Sequence, residues 1–206
     1  MMSQKTDYIL NELNKLFPNA KCELIHSNAF ELLIAVSLSA QTTDERVNAV
    51  VPNLFAKYHN PLELSNAKQE DVEVIIQSIG LYRNKASNII KLAKILVSDY
   101  NGIVPNTMEE LIKLPGVGRK TANVVLSEWF DVPAIAVDTH VARISKRLGL
   151  AKKDDDVLMI EQKLMKKLKK RDWNHAHHLF IFFGRYLCKA KLPECYRCPL
   201  KEICKK

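Results

Sequence analysis

Apolar residues recur three and four positions apart along most of this chain, and that spacing constrains the fold more than any other feature. One predicted helix, over residues 83–100, would bury a face made of Ala86, Ile89, Ile90, Ala93, Leu96 and Val97. A second, over residues 155–170, would bury Val157, Ile160, Leu164 and Leu168. The sequence has no convincing stretch in which apolar and polar residues alternate between turn residues, as they do in a β-strand. The sequence therefore predicts an all-α protein.

Glycine, proline and asparagine divide the chain into about ten predicted helices. We expect these at residues 4–16, 28–40, 44–59, 68–78, 83–100, 108–113, 120–130, 138–148, 155–170 and 174–187. The segment 30–40 is apolar nearly all round, which is typical of a buried central helix. Thr107, followed by Glu110 three residues later, fits a capping box, and Asp44 marks another helix start.

The positive charge of the chain is confined to its last quarter. Residues 1–150 carry 16 basic and 16 acidic side chains, whereas residues 151–206 carry 15 and 7, which accounts for the whole net charge of +8. This distribution suggests a polyanionic partner, either nucleic acid or an anionic membrane surface, unless the lysines only form a solvated face. The N-terminus lacks the apolar segment of a signal peptide, and no apolar run approaches the roughly 20 residues that span a bilayer. We therefore expect a soluble, cytoplasmic protein.

The cysteines are also concentrated near the C-terminus. Cys188, Cys195, Cys198 and Cys204 fall within seventeen residues, whereas Cys22 stands alone. In a reducing compartment such a cluster indicates metal binding rather than disulfide bonds. Judged by their chemistry alone, four thiolates could hold either a structural zinc ion or an iron–sulfur cluster.

The segment LPGVGRK, residues 114–120, predicts a tight turn that leads into a helix. Gly116 and Gly118 bracket Val117, and glycines at this spacing let the backbone turn sharply and approach a ligand. The amides at the start of the following helix would form an anion site suited to one phosphate, and Arg119 would add positive charge. The alternative is an ordinary turn between two helices with glycine at a cap.

Two residues near this turn carry candidate chemistry. Lys120 lies in the first turn of the predicted helix, where the helix dipole and Arg119 disfavour further positive charge, so its amine could be a nucleophile. Its alternative role is to clamp a phosphate. Asp138 begins the next helix and could simply be an N-cap, or its carboxylate could stabilise positive charge that develops at an anomeric carbon.

The pattern LPGVGRKTA resembles the helix-hairpin-helix signature of base-excision DNA glycosylases. Further motifs extend the resemblance to the endonuclease III family over nearly the whole chain. They are LSAQTTD at 38–44, IGLYRNKA at 79–86, LPGVGRKTANVVL at 114–126, AVDTHVAR at 136–143 and the cysteine cluster. Members are bifunctional DNA glycosylases and abasic-site lyases. The resemblance therefore implies removal of an oxidised pyrimidine from duplex DNA and β-elimination that cuts the strand 3′ to the lesion.

The resemblance also implies roles for single residues. Lys120 would be the Schiff-base nucleophile and Asp138 its catalytic partner, while the four clustered cysteines would hold a 4Fe-4S cluster. Gln41 would bond to the base left without a partner, and Leu81 would wedge between bases. Judged by its apolar character alone, Leu81 would instead pack in the core. The other expected DNA contacts are Gly116, Val117, Gly118, Arg119, Tyr82, His140, Arg143, Lys189 and Lys191. For the two lysines of the cysteine loop, the alternative role is surface solubility.

The expected architecture has two helical domains in a monomer. A six-helix domain over residues 21–132 would carry the hairpin at about 108–130. The second domain would join residues 1–20 to 133–206 and hold the cluster loop 188–204, with damaged duplex DNA lying across the cleft between the domains. The size of the chain and the lack of a targeting segment suggest a bacterial protein, which would be associated with the nucleoid through DNA.

Two other functions are compatible with parts of this sequence. A purine-excising mismatch glycosylase would share the fold, but such relatives lack a lysine at the hairpin exit and carry a catalytic glutamate where this chain has Val36. They also have an additional C-terminal domain. A noncatalytic DNA-binding protein could keep the hairpin for phosphate alone. The presence of both Lys120 and Asp138 argues against it.

Overall fold

The computed structural model describes residues 2–205 of the chain, with side chains from Gln4 onward, and these residues form α-helices and no β-strand. The helices are α1 Met2–Leu16, α2 Ala29–Leu38, α3 Asp44–Lys57, α4 Pro61–Ser65, α5 Gln69–Ile76, α6 Tyr82–Tyr100, α7 Met108–Leu111, α8 Arg119–Trp129, α9 Thr139–Arg147, α10 Val157–Lys167 and α11 Trp173–Phe182. A single π-helical turn, Phe183–Leu187, continues α11. The prediction of an all-α fold is confirmed.

The chain divides into two compact units. The central unit is Glu23–Asp131, and the terminal unit joins Met1–Cys22 to Val132–Lys206. The central unit contains α2 to α8, and the terminal unit contains α1 and α9 to α11.

Helix α2 forms the core of the central unit. Every side chain from Leu32 to Leu38 is buried, and α2 packs against α3, α6 and α8. The buried segment is therefore the central helix that its composition predicts. It ends at Leu38, two residues before the predicted end, because the Ser39 amide caps it by bonding to the carbonyls of Ala35 and Val36.

The terminal unit has a core of its own. Ile9 and Leu13 of α1, Val141 and Ile144 of α9, and Phe180 of α11 are each at most 1% exposed and belong to one apolar cluster. Phe183 and Leu187 of the π-helical turn extend this cluster toward the cysteine loop. The turn therefore connects the apolar core to the first clustered cysteine, Cys188.

Side chains set several helix starts as the sequence predicts. Thr107 Oγ1 accepts a hydrogen bond from the Glu110 amide at 3.3 Å, as a capping box predicts. The Glu110 carboxylate accepts from the Thr107 hydroxyl at 2.7 Å, whereas in a full capping box it accepts from the Thr107 amide. Asp44 begins α3, and the side chain of Thr43 is its N-cap. Both starts follow from short polar side chains that satisfy amides which the helix leaves unbonded.

Three other helices show where the predicted boundaries differ from the structure. The predicted break at residues 60–61 is the start of α4, because Asn60 caps it and Pro61 occupies the first position, where proline is tolerated. Helix α7 ends at Leu111 rather than 113, since the Leu114 amide bonds three residues back to Leu111 and tightens the chain. Helix α10 spans 157–167 rather than 155–170, with Asp156 as its cap, and Val157 is 52% exposed instead of lining the buried face.

No helix in the described part of the chain is long and apolar enough to cross a membrane.

We expect Leu33→Ala to lower the free energy of unfolding by about 2–5 kcal/mol, because Leu33 is fully buried in α2 and its loss leaves a cavity. Chemical denaturation followed by circular dichroism measures the change. Leu62→Ala is the matched control, since Leu62 is 58% exposed and should change stability little. Equal losses in the two variants would contradict the central position of α2.

Candidate functional site

The predicted tight turn lies between α7 and α8. Gly116 has a φ of +78°, a conformation that favours glycine, and a Cβ there would lie 3.3 Å from Cβ of Asn88 in α6. Gly118 has an extended backbone, and a Cβ there would meet nothing within 4 Å. Gly116 is therefore required by the turn itself, whereas Gly118 leaves open space at the start of α8.

Val117 anchors the turn. Its side chain is buried, and its amide donates to the Leu114 carbonyl at 3.1 Å. The turn between the two glycines is consequently fixed to the core of the central unit. Val117, which the sequence grouped with the phosphate contacts, faces inward.

Gly118 occupies the N-cap position of helix α8, and no side chain among the described residues caps this helix start. The first amides of an α-helix have no partner within the helix, and they carry the positive end of its dipole. Exposed Arg119 and half-buried Lys120 occupy the first two positions of α8. This end of α8 therefore combines amide donors, open space and two cationic side chains, which suits a phosphate.

Gln41 and Leu81 are both exposed and both adopt left-handed backbone conformations. Their φ angles are +55° and +58°, and Leu81 is 59% exposed. A residue with a side chain is strained in this region, by roughly 1–2 kcal/mol. An exposed side chain on a strained backbone position is more typical of ligand contact than of packing. For Leu81, the structure excludes the core position that its apolar character alone would favour.

Lys85 connects the segments that carry these two residues. Its Nζ donates to Thr42 Oγ1 at 2.7 Å, which ties α6 to the loop that follows Gln41. Lys85 is 7% exposed, and burial lowers the pKa of its ammonium group. The two loops are therefore held together by a buried cation within the central unit.

Asp138 is the N-cap of α9. Its Oδ1 accepts a hydrogen bond from the Val141 amide at 2.7 Å. Burial lowers the pKa of nearby His140; the Asp138 carboxylate opposes this shift and the Arg143 guanidinium adds to it. Capping fixes the direction of the carboxylate, so the structural role of Asp138 is compatible with a catalytic one.

The Arg143 guanidinium is bonded to the main chain of the terminal unit. Its Nη2 donates to the carbonyl of Gly184 at 2.8 Å and to that of Cys188 at 3.3 Å. A Cβ on Gly184 would lie 2.9 Å from Cβ of His140 and 3.1 Å from Nη2 of Arg143. Only glycine lets the π-helical turn come this close to α9.

The four clustered cysteines line one cavity of about 240 Å³. Its other walls include the apolar side chains of Leu148, Phe183, Leu187 and Leu200. Burial raises the pKa of the Cys198 thiol, and the other three thiols act in the same direction. The side chain of Arg147 also lines the cavity and donates to Cys188 Sγ at 3.1 Å.

Known proteins resemble this chain over its whole length. A family model described as HhH-GPD superfamily base excision DNA repair protein matches residues 34–170. Endonuclease III of Bacillus subtilis strain 168 is 54% identical over 202 residues, which cover 98% of this chain and 92% of that protein. The chain belongs to the endonuclease III family. Endonuclease III of Escherichia coli K12 is 43% identical over 196 residues, covering 95% and 92% of the two chains.

Solved structures agree with this membership. A structure of a trapped endonuclease III–DNA covalent intermediate matches this family member with a TM-score of 0.96 at 56% identity, covering 100% of this chain and 96% of that one. A thermostable thymine-DNA glycosylase matches with a TM-score of 0.88 at 20% identity, and that likeness shows the fold alone.

The site residues predicted from the sequence of this endonuclease III family member are divided between the two units. Gln41, Leu81 and the hairpin with Lys120 lie in the central unit, whereas Asp138, His140, Arg143 and the clustered cysteines lie in the terminal unit. In the cysteine loop, Lys189 pairs with Glu194 at 2.9 Å and Lys191 is exposed.

Sequence reasoning missed Lys85, Arg147 and Gly184. Arg147 follows Arg143 by four residues, so the two share a face of α9, and that spacing was a signal that could have found it. The bonds of Lys85 and of the Gly184 carbonyl reach across 43 and 41 positions, to Thr42 and Arg143. Contacts of that range leave no local pattern in the sequence.

We expect Gly184→Ala to lower the free energy of unfolding by about 1–3 kcal/mol, because the added methyl group would force the π-helical turn away from α9. Thermal unfolding measures the loss. Gly80→Ala is the control, since a Cβ at Gly80 meets nothing within 4 Å. If both variants unfold at the wild-type temperature, the contact does not constrain α9.

Proposed function

We propose that this protein excises oxidised pyrimidines from duplex DNA and then cuts the abasic strand by β-elimination, with Lys120 as the nucleophile. As a member of the endonuclease III family, the chain is a base-excision repair DNA glycosylase. The lyase step and the residue roles below are our inference. The observation that carries them is the position of Lys120, half-buried at the uncapped start of α8 directly behind the glycine turn.

The start of α8 would bind a phosphate of the damaged strand. Its amide donors and Arg119 supply positive charge, and the open space beside Gly118 admits the backbone of DNA. A phosphate bound there would fix the register of the strand and bring a neighbouring sugar toward Lys120.

In the proposed reaction, the amine of Lys120 attacks C1′ of the damaged nucleotide. The bond from C1′ to the base breaks as the new C–N bond forms, and the base leaves with a proton. The C1′–O4′ bond then breaks, with the remaining N–H proton passing to O4′, and the opened sugar holds Lys120 as an imine. Protonation of this imine acidifies the hydrogen on C2′. When that hydrogen is removed as a proton, a C2′–C3′ double bond forms and the bond between C3′ and the phosphate oxygen breaks, which releases the phosphate. This sequence cuts the strand on the 3′ side of the lesion.

Asp138 would stabilise the positive charge that develops at the sugar as the base departs. A carboxylate held in one orientation serves this purpose better than a mobile one, because it needs no rearrangement during the reaction. The bond from the Val141 amide provides that orientation.

Gln41 and Leu81 would occupy the space that the extruded nucleotide leaves. The Gln41 amide could donate to and accept from the unpaired base, and the Leu81 side chain could enter the stack. Their exposure supports these roles, as does the buried Lys85–Thr42 bond between their segments.

Cys188, Cys195, Cys198 and Cys204 would hold a 4Fe-4S cluster. The four thiols line a single, largely apolar cavity, and each corner of such a cluster takes one thiolate, so its ligands stand well apart. In the described part of the chain, no three His, Cys, Asp or Glu side chains are grouped as ligands of a single ion. The cluster would supply a covalent cross-link of this loop and no step of the bond chemistry.

We further propose that the central unit, which contains α2 to α8, is the hairpin domain and that the terminal unit is the cluster domain. A bacterial setting, with the enzyme on chromosomal DNA, fits the bacterial relatives. Exposed Lys191, with Lys189, would then contact the DNA backbone, and His140 and Arg143 would lie beside Asp138 at the damaged strand.

Lys120→Ala should abolish the covalent adduct that borohydride traps on duplex DNA with one thymine glycol or one abasic site, because no other amine holds that position. DNA affinity measured in parallel should fall little, since the amides of α8 remain. Lys113→Ala is the matched control, as Lys113 is an exposed lysine of the same turn.

Three results would count against the proposal. No adduct from the wild-type protein, with DNA binding intact, would indicate a glycosylase without lyase activity. Equal loss of trapping and binding in Lys120→Ala would indicate a phosphate clamp. Loss of the adduct in Lys113→Ala as well would show that general charge, rather than Lys120, controls trapping.

Asp138→Asn separates the capping role of this residue from its catalytic one. Asparagine caps a helix about as well as aspartate, so thermal stability should change by less than about 0.5 kcal/mol. Single-turnover base release should slow about 100-fold or more, because the negative charge is lost. A wild-type rate of base release would remove Asp138 from the mechanism.

A further inference from the structure

We propose that Arg147 is a positioning residue for the iron–sulfur cluster, joining the first and last cysteines of the loop and donating a hydrogen bond to the Cys188 sulfur. This inference rests on the cluster proposed above, and concerns a residue that takes no part in the reaction at the sugar. Its support is the set of contacts that Arg147 makes through both its side chain and its main chain.

The Arg147 guanidinium bonds to three consecutive residues that begin with the first cysteine. Its Nη1 lies 3.1 Å from Cys188 Sγ, 3.3 Å from the Cys188 carbonyl and 3.0 Å from the Lys189 carbonyl, while Nη2 lies 3.3 Å from the Ala190 carbonyl. Only arginine presents several donors in a rigid planar group. Lysine at this position could not reach the sulfur and all of these carbonyls from one geometry.

The main chain of Arg147 reaches the other end of the cysteine segment. Its carbonyl accepts a hydrogen bond at 2.7 Å from the amide of Lys205, the residue after Cys204. Arg147 is the last residue of α9, whose first turn is capped by Asp138. One residue at the end of a packed helix therefore fixes the chain on both sides of the loop that contains all four thiols.

Two cations of the loop pair with a carboxylate, whereas Arg147 bonds to the Cys188 sulfur. Glu194 pairs with Lys189 at 2.9 Å and with Arg197 at 2.6 Å. A thiolate ligand carries negative charge, and a hydrogen bond from a cation is a strong one. The Arg147 guanidinium is therefore placed to donate a hydrogen bond to the Cys188 thiolate, which is the form of the side chain that would bind iron.

This contact should affect both retention of the cluster and its reduction potential. Hydrogen bonds to ligand sulfurs stabilise the more negative, reduced state, so their loss lowers the potential. Outer contacts that orient a ligand also resist its release, and losing one costs about 10–100-fold in metal affinity.

The test compares three variants of the full-length, anaerobically purified protein: Arg147→Met, Arg147→Lys and the control Arg197→Met. The control removes a positive charge next to Cys198, on a side chain that forms an ion pair with Glu194. Iron content, the rate of iron release to a chelator and the potential of DNA-bound protein by voltammetry are measured, with circular dichroism to verify the helices.

We expect both Arg147 variants to release iron about 10–100-fold faster than wild type and to show a lower potential, with Arg197→Met near wild type. If Arg147→Met fails to fold, Arg147→Lys decides, because it keeps the charge and the aliphatic stem. Wild-type release rates and potentials in both Arg147 variants would overturn the proposal.

Two further outcomes are distinguishable from that one. An equal change in Arg197→Met would show that net charge, and not the bond to sulfur, governs the cluster, and would also overturn the proposal. Absence of iron from the wild-type protein would overturn it together with the proposed cluster, whereas borohydride trapping through Lys120 would still test the reaction separately.

Discussion

The close approach of Gly184 to α9 is the contact on which the terminal unit depends most. It places the π-helical turn against His140 and Arg143, and Cys188 follows that turn directly. Arg143 and Arg147 then bond to carbonyls of the same segment from one face of α9. A single helix thus fixes a carboxylate at one end and a cysteine loop at the other. Both the proposed catalytic partner and the proposed cluster rely on its position.

In the central unit, some helix starts have a capping side chain and others have none. Asn28, Thr43, Asn60 and Thr107 each close a helix start with a side chain, whereas α8 starts at glycine and α6 starts at Leu81. Unsatisfied amides at a helix start are unfavourable for an isolated domain, yet they are what an anionic ligand needs. The starts without a capping side chain include the two at which we propose DNA contacts. Both helices pack against the buried helix α2.

Local patterns in the sequence were sufficient for ten of the helices, within a few residues at their ends, for the Thr107 cap and for the hairpin. They were insufficient where the outcome depends on partners far along the chain. Nothing near Leu81 indicates a left-handed backbone, since neither asparagine nor glycine occupies the position, and helix α4 is too short to show a period. The roles of Lys85 and Gly184 depend on contacts with residues more than 40 positions away. Arg147 had a local signal in its spacing from Arg143, but the bond to sulfur required the fold.

The excess charge of the last quarter is only partly explained by the cysteine loop. Lys189 and Arg197 already pair with Glu194, and exposed pairs of this kind contribute only about 0–1 kcal/mol, so a DNA phosphate could replace the carboxylate at little cost. Many of the other cations surround a cavity of about 630 Å³ beyond the C-terminal end of α9, where Lys167 donates to the Leu150 carbonyl at 2.5 Å. Cations there complement the negative end of the helix dipole. Burial and the neighbouring lysines lower the pKa of Lys167. The excess charge that predicts a polyanionic partner therefore lies in two places, the cysteine loop and the lysines around this cavity.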